Sequence, residues 1–284
     1  VISFSSENQA AIVERYPEVF RPDWWNRGKI TIGLGTAVAL FLFGIAQLDI
    51  PFHRLSDGMA RLGGFLRLML PPDPGSWAEA LKYLNALGET VSIAFLGTLG
   101  GALLALPVSL LAARNVVANR IVHFFSRRSL DTIRGVDILI WALIWVGVVG
   151  LGPFAGILAV ICSDFGTFGK LFSEAIEAAD KNPAEGVRSA GGSHLHSVRF
   201  GLLPQVFPIL LSQVLYYFES NTRSATIIGI VGAGGIGLQL AEQIRVLEWQ
   251  KVSFLILLIL IAVSAIDWIS GKLRFAIIGR RAVA

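Results

Sequence analysis

Residues Val91–Ala113 read VSIAFLGTLGGALLALPVSLLAA and carry no charged side chain. A helix rises 1.5 Å per residue, so about 20 mostly apolar residues cover the roughly 30 Å of hydrocarbon in a bilayer. Pro107 does not spoil the assignment, because a helix in lipid tolerates a proline kink when neighbouring groups satisfy the freed backbone. Working outward, Ile30–Leu48 is an equally uncharged first span. A third lies over Ile133–Leu151, with Arg134 and Asp137 at its start. Gly152-Pro153 marks a tight turn, and Phe154–Phe172 follows as a fourth span with Asp164 midway. Leu202–Phe218 and Val252–Ile269 complete the set. The pattern predicts an all-α polytopic membrane protein with six transmembrane helices.

Composition agrees. Of 284 residues, 54% are hydrophobic and only 15% charged, against about 25% charged in soluble domains. Too few charges remain to cover a water-exposed surface. The net charge of +4 reads as the Lys and Arg excess of cytoplasmic loops rather than as nucleic-acid affinity. Cys162 is the single cysteine and sits in an apolar run, so it forms no intrachain disulfide. The four histidines (His53, His123, His194 and His196) are scattered and lack an acidic or cysteine cluster, so no metal site is expected. Val1–Lys29 is polar and charged, unlike a cleavable signal peptide.

The segment Ala225–Leu240, ATIIGIVGAGGIGLQL, is uncharged but short for a span and rich in glycine. Loop charge decides its status. With the N-terminus inside, the inner segments hold most of the 24 basic residues, among them Arg114, Arg120, Arg127, Arg128, Lys170, Lys181, Arg188, Lys272 and Arg274. A seventh span would send the basic tail outside, against the positive-inside bias. Ala225–Leu240 is therefore expected to be a re-entrant or irregular piece, with Gly232, Gly234, Gly235 and Gly237 packing closely against protein. The predicted organisation is a cytoplasmic segment over 1–29, a first span over 30–48 and an outer loop over 49–87. A core over 88–273 contains a cytoplasmic loop at 175–201, and a basic cytoplasmic tail covers 274–284. Within the outer loop, RLGGFLRLML before Pro71 has the character of an interfacial helix.

Two nucleotide motifs must be weighed. Gly232–Gly237, GAGGIG, matches the dinucleotide pattern G-x-G-x-x-G, but that pattern has meaning only between a strand and a helix of a βαβ unit. Here it lies among membrane segments. No G-x-x-x-x-G-K-[ST] loop occurs, so ATP phosphates are not held in the P-loop manner.

The inner loop AIEAADKNPAEGVRSAGGSHLHSVRF, Ala175–Phe200, is helix-friendly at both ends and broken by Pro183 and Gly191-Gly192. On composition alone it is an ordinary solvated loop. It resembles, however, the EAA motif of ABC-importer permeases. The literal E-A-A at Glu177–Ala179 sets Pro183 where the motif has glycine, and fails. Starting from Glu185, Gly191 falls on the motif glycine and Leu203-Pro204 on its L-P pair. This register departs from the pattern at Gly186 and Val187, which replace two alanines, and at Gly201, where isoleucine is usual. GLGPFAGILA at 150–159, SEAIEA at 173–178 and FESNTRSATIIGIVGAGGIG at 218–237 are similar to the phosphonate-type branch of these permeases.

The resemblance implies the type I importer permease fold in the bacterial inner membrane, with both termini cytoplasmic. It implies a homodimer around a central pathway, two cytoplasmic ATPase subunits and a periplasmic binding protein. The chain itself would be no enzyme; ATP and Mg would sit on the ATPase. Glu185, Gly186, Val187, Arg188, Gly191, Leu203 and Pro204 would couple it to that partner. For the pathway, Glu219, Ser220, Asn221, Arg223 and Ser224, together with Asp164, are candidates, because polar groups at membrane depth are expensive. An anionic phosphonate, phosphate or related oxyanion would be drawn by Arg223. The competing readings are a Glu219–Arg223 pair that neutralises itself across one helix turn, and a structural hydrogen bond at Asp164. A methionine or osmoprotectant permease is the nearest alternative. An ion-driven transporter would show inverted repeats, and a membrane enzyme would show a clustered catalytic constellation; neither is evident.

Overall fold

In a computed structural model, residues 24–48, 52–117 and 119–279 are described. The N-terminal stretch 1–23 and the end of the tail, 280–284, including Arg280 and Arg281, lie outside the described residues. Every element among the described residues is helical. The chain divides into two units, 1–64 and 65–284. The first carries α1 (Trp24–Gln47) and the greater part of α2 (Phe52–Leu68). Along α1, large apolar side chains such as Leu34, Leu40 and Phe41 are exposed, as lipid-facing groups are.

The second unit begins within α2 and continues through α3 (Trp77–Ala112), α4 (Arg120–Arg134), α5 (Ile138–Val149) and α6 (Pro153–Glu177). A short α7 (Asn182–Ser189) and the single turn α8 (His194–His196) lead through a π-helical turn, Ser197–Leu202, into α9 (Leu203–Ile230). Then come α10 (Gly235–Arg245) and α11 (Trp249–Ile278). Five of the described helices are long and apolar enough to cross a membrane, and six crossings result if α4 and α5 are counted together.

The differences from the expected spans have local causes. The third span is not one helix: α4 and α5 meet at 84°. Gly135 caps α4, and Asp137 caps α5 by accepting from the Leu139 amide at 2.8 Å. Thus Arg134 and Asp137 mark a corner, and α5 alone reaches only about 18 Å. The second span starts earlier, at Trp77, because Ser76 provides an N-cap that accepts from the Glu79 amide at 3.2 Å. The fifth runs on to Ile230. The polar run 219–224 therefore lies inside a continuous helix rather than at its outer end. Ala225–Leu240 is the last turns of α9, a break at 231–234, and the first turns of α10.

The core is built on small residues. A Cβ added to Gly97 would lie 2.5 Å from the Val160 Cβ, and one on Gly101 would lie 2.7 Å from the Asp164 Cβ. Gly97-x-x-x-Gly101 is thus the face on which α3 and α6 meet, as small residues allow in lipid where no hydrophobic effect drives helices together. One buried cluster joins Ile93, Ala142, Val160, Ala225 and Ile228; another joins Ala105, Phe168, Phe172, Ile176 and Val206. Tyr83, Ile236 and Leu255 tie α3, α10 and α11.

Candidate coupling surface and buried polar cluster

Helix α7 holds Glu185, Gly186, Val187 and Arg188. Its first turn carries Pro183, which suits a position where no intrahelical donor is needed. It ends where Gly191 takes φ +83°, the left-handed conformation that closes a helix and disfavours a side chain. The Gly192 amide then returns to the Val187 carbonyl at 2.9 Å. Glu185, Gly186, Arg188 and Gly191 face outward, and Val187 is half-buried. Arg188 meets His194 Nδ1 at 2.9 Å, while His194 Nε2 meets the Val116 carbonyl at 2.7 Å. The exposed helix is thereby fastened to the loop following α3.

Behind it, Gly201 backs directly onto α7: an added Cβ would lie 2.6 Å from the Ala184 Cα. Ser197 donates to the Ala184 carbonyl at 3.1 Å, and Gln205 donates to the carbonyls of Gly201 and Asp180 at 2.6 and 3.1 Å. Leu203 and Pro204 open α9 just after this contact. Gly201, a departure from the motif in sequence, is what lets α7 pack so closely. Glu177 of the literal E-A-A is committed elsewhere. It accepts from the Arg114 amide at 2.8 Å and pairs with Arg127 at 2.9 Å.

The polar residues of α9 divide between two faces. Asn221 is buried and donates to Asp164 of α6 at 2.6 Å and to Thr98 of α3 at 2.7 Å. Asp164 and Asn221, grouped with the pathway candidates in sequence, knit α3, α6 and α9 together. Glu219 is also buried, and is shared by Arg223 at 3.2 Å and Arg274 of α11 at 2.9 Å. Arg223 nevertheless leaves 49% of its side chain uncovered. Ser220 and Ser224 lie half-buried beside it. Two guanidinium groups on one carboxylate leave an excess positive charge on this face.

Residues 105–275 match the family described as the binding-protein-dependent transport system inner membrane component. This chain belongs to that family. It is 39% identical over 245 residues to HtxC of Stutzerimonas stutzeri, provisionally named a phosphite transport system permease protein, with 86% of each chain covered. It is 33% identical to the phosphite transport system permease protein PtxC of the same organism, covering 88% of this chain and 90% of that one. Among solved structures, an inward-facing methionine ABC transporter, MetNI, superposes with a TM-score of 0.63 at 20% identity, over 71% of this chain and 99% of that one. That likeness concerns the fold alone. The protein is therefore the permease subunit of an ABC importer, a transport component whose ATP hydrolysis belongs to a separate subunit. The family implies an ATPase and a substrate-binding protein as partners.

Sequence reasoning missed how the permease holds α10. Glu89 Oε2 and Thr90 Oγ1 of α3 accept from the amides of Gly235 and Ile236 at 3.0 and 2.8 Å. A carboxylate at a helix N-terminus satisfies otherwise orphaned donors and suits the helix dipole. Gly234 and Gly235 have φ +83° and +73°, which a side chain resists, so they form the tight break before α10. An added Cβ at Gly237 would collide with the Thr226 carbonyl. Glu89 stands just past the expected outer loop (49–87), and nothing local in the sequence linked it to residues so distant along the chain.

Proposed function

We propose that this permease imports a small phosphorus oxyanion (phosphite, phosphate or a phosphonate), and that two copies enclose the pathway with all termini cytoplasmic. The observation that carries the cargo is the half-uncovered Arg223 beside Ser220 and Ser224, in a helix whose carboxylate, Glu219, already serves Arg274. A guanidinium with hydroxyl donors matches the oxygens of a tetrahedral anion. The names of the relatives point the same way.

Helix α7 is the coupling element in this reading. Glu185 and Arg188 supply polar contacts to a groove of the ATPase, Val187 and Gly186 the helix body, and Gly191 the turn. Leu203-Pro204 transmits the motion into α9. ATP and Mg bind the ATPase, and this chain holds neither. Gly232, Gly234, Gly235 and Gly237 keep α10 close to α9 while the helices shift.

The test is uptake into vesicles holding the permease, its ATPase and its binding protein. ATP-dependent accumulation of labelled phosphite or phosphate supports the oxyanion reading. Accumulation of methionine or a quaternary ammonium osmoprotectant instead would replace it, and uptake driven by an ion gradient without ATP would overturn the importer assignment.

A further inference from the structure

A cavity of about 230 Å3 opens beside α4, and its lining includes no residue of α7 or of the Arg223 cluster. It is lined by Arg114, His123, Arg127, Arg128, Asp131 and Lys170, with Phe124 and Leu130 at its apolar side. Its two carboxylate neighbours are already engaged: Asp131 pairs with Lys170 at 2.8 Å, and Glu177 with Arg127 at 2.9 Å. Arg114 and Arg128 carry the remaining charge.

Two buried donors here lack an acceptor. Arg114 Nε donates to His123 Nε2 at 3.1 Å, which fixes the ring proton of a neutral imidazole on Nδ1. That buried Nδ1 has no partner, and neither does the buried Nε of Arg127. These two atoms lie beneath the cavity wall, so recognition inside the cavity falls to the guanidinium groups that line it. Oxygens carrying negative charge suit the surplus arginines.

The surroundings select the kind of anion. Helix α4 is strongly amphipathic, and Ile121, Phe124 and Phe125 on it are 69%, 54% and 64% exposed. It turns 84° from α5. If α5 runs along the bilayer normal, α4 lies along the membrane surface with its phenylalanines in the acyl boundary and its arginines at headgroup level. Arg128 already sits over the Phe124 ring at 5.6 Å. A free phosphate ion has no use for that apolar face, whereas a lipid occupies both.

We propose that the cavity lined by Arg114, His123, Arg127 and Arg128 seats the phosphate of an acidic phospholipid headgroup, whose chains run beside Phe124 and Phe125. This holds α4 on the membrane surface. The loop from Arg114 to Val116 connects the seat to the coupling region through Glu177 and His194. The proposal does not depend on the identity of the cargo.

Short-chain phosphatidylglycerol, short-chain phosphatidylcholine and inorganic phosphate are each titrated calorimetrically into the purified full chain in neutral detergent. Saturable phosphatidylglycerol binding, about tenfold or more tighter than phosphatidylcholine, is expected. An Arg114→Gln, Arg128→Gln double variant should lose about tenfold of that affinity. Arg128→Lys should retain most of it, and unchanged thermal unfolding of both variants checks their folding. Equal affinity for the two lipids, or affinity untouched by the double variant in a folded protein, would overturn the proposal. So would inorganic phosphate binding as tightly as the lipid, which would make the cavity a seat for a free anion.

Discussion

Asn221 donates its side-chain amide to the carboxylate of Asp164 across 2.6 Å, deep between α9 and α6. The same nitrogen donates to Thr98 of α3 at 2.7 Å. One amide therefore joins the three helices that carry the core. Replacing Asn221 by Leu removes the donor and leaves a buried carboxylate without it, which costs about 1–3 kcal/mol or more. The purified Asn221→Leu permease should unfold at a clearly lower temperature in detergent. An unchanged melting temperature would remove this contact from the account of stability.

The Gly97 and Gly101 face makes a steric claim. Gly97→Ile has no room against Val160 and should destabilise by about 1–3 kcal/mol through overpacking. Gly88→Ile on the same helix has nothing within 4 Å and serves as the control. Thermal unfolding of the two variants compares them directly, and similar losses for both would contradict the packing described.

At the coupling loop, Gly186 is open to solvent and Gly201 is jammed against Ala184. Gly186→Ala should be tolerated or add up to about 1 kcal/mol of helix stability. Gly201→Ile restores the residue usual in the motif, yet here it should separate α7 from the π-helical turn and depress ATP-driven uptake. Transport assays on the two variants read the contrast. Equal, normal uptake by both would show that α7 does not depend on its backing.

Much of the fold was legible because lipid imposes a severe rule: uncharged runs such as Val91–Ala113 have few alternatives to a spanning helix. The corner at Gly135–Asp137 was also written locally, as a C-cap glycine followed by an N-cap aspartate, but hydropathy averaged across it. The continuity of α9 through Glu219–Ser224 was hidden because the polar groups look like a loop until their partners appear. Those partners, Asp164, Thr98 and Arg274, come from other helices. Gly201 shows the reverse case, where a departure from a family pattern becomes intelligible only beside Ala184.

Arg223 and Glu219 separate the functional from the merely neutralising reading of their ion pair. If Arg223 meets the cargo, Arg223→Ala should reduce oxyanion uptake by at least about tenfold while the protein inserts and melts normally. Arg223→Lys should recover only part, because the planar fork of the guanidinium is lost. Glu219→Gln frees both arginines and should alter uptake less than Arg223→Ala. Unchanged apparent affinity and rate in Arg223→Ala would confine the pair to structure.

The coupling role of α7 is tested most directly by the Glu185→Ala, Arg188→Ala double variant assembled with its ATPase and binding protein in vesicles. Both side chains lie outside the buried core, so insertion of the permease should be preserved, and co-purification with the ATPase checks assembly of the complex. ATP hydrolysis should continue at a basal rate no longer stimulated by loaded binding protein, and ATP-driven uptake should fall to background. Normal uptake with normally stimulated hydrolysis in a fully assembled complex would contradict the coupling role.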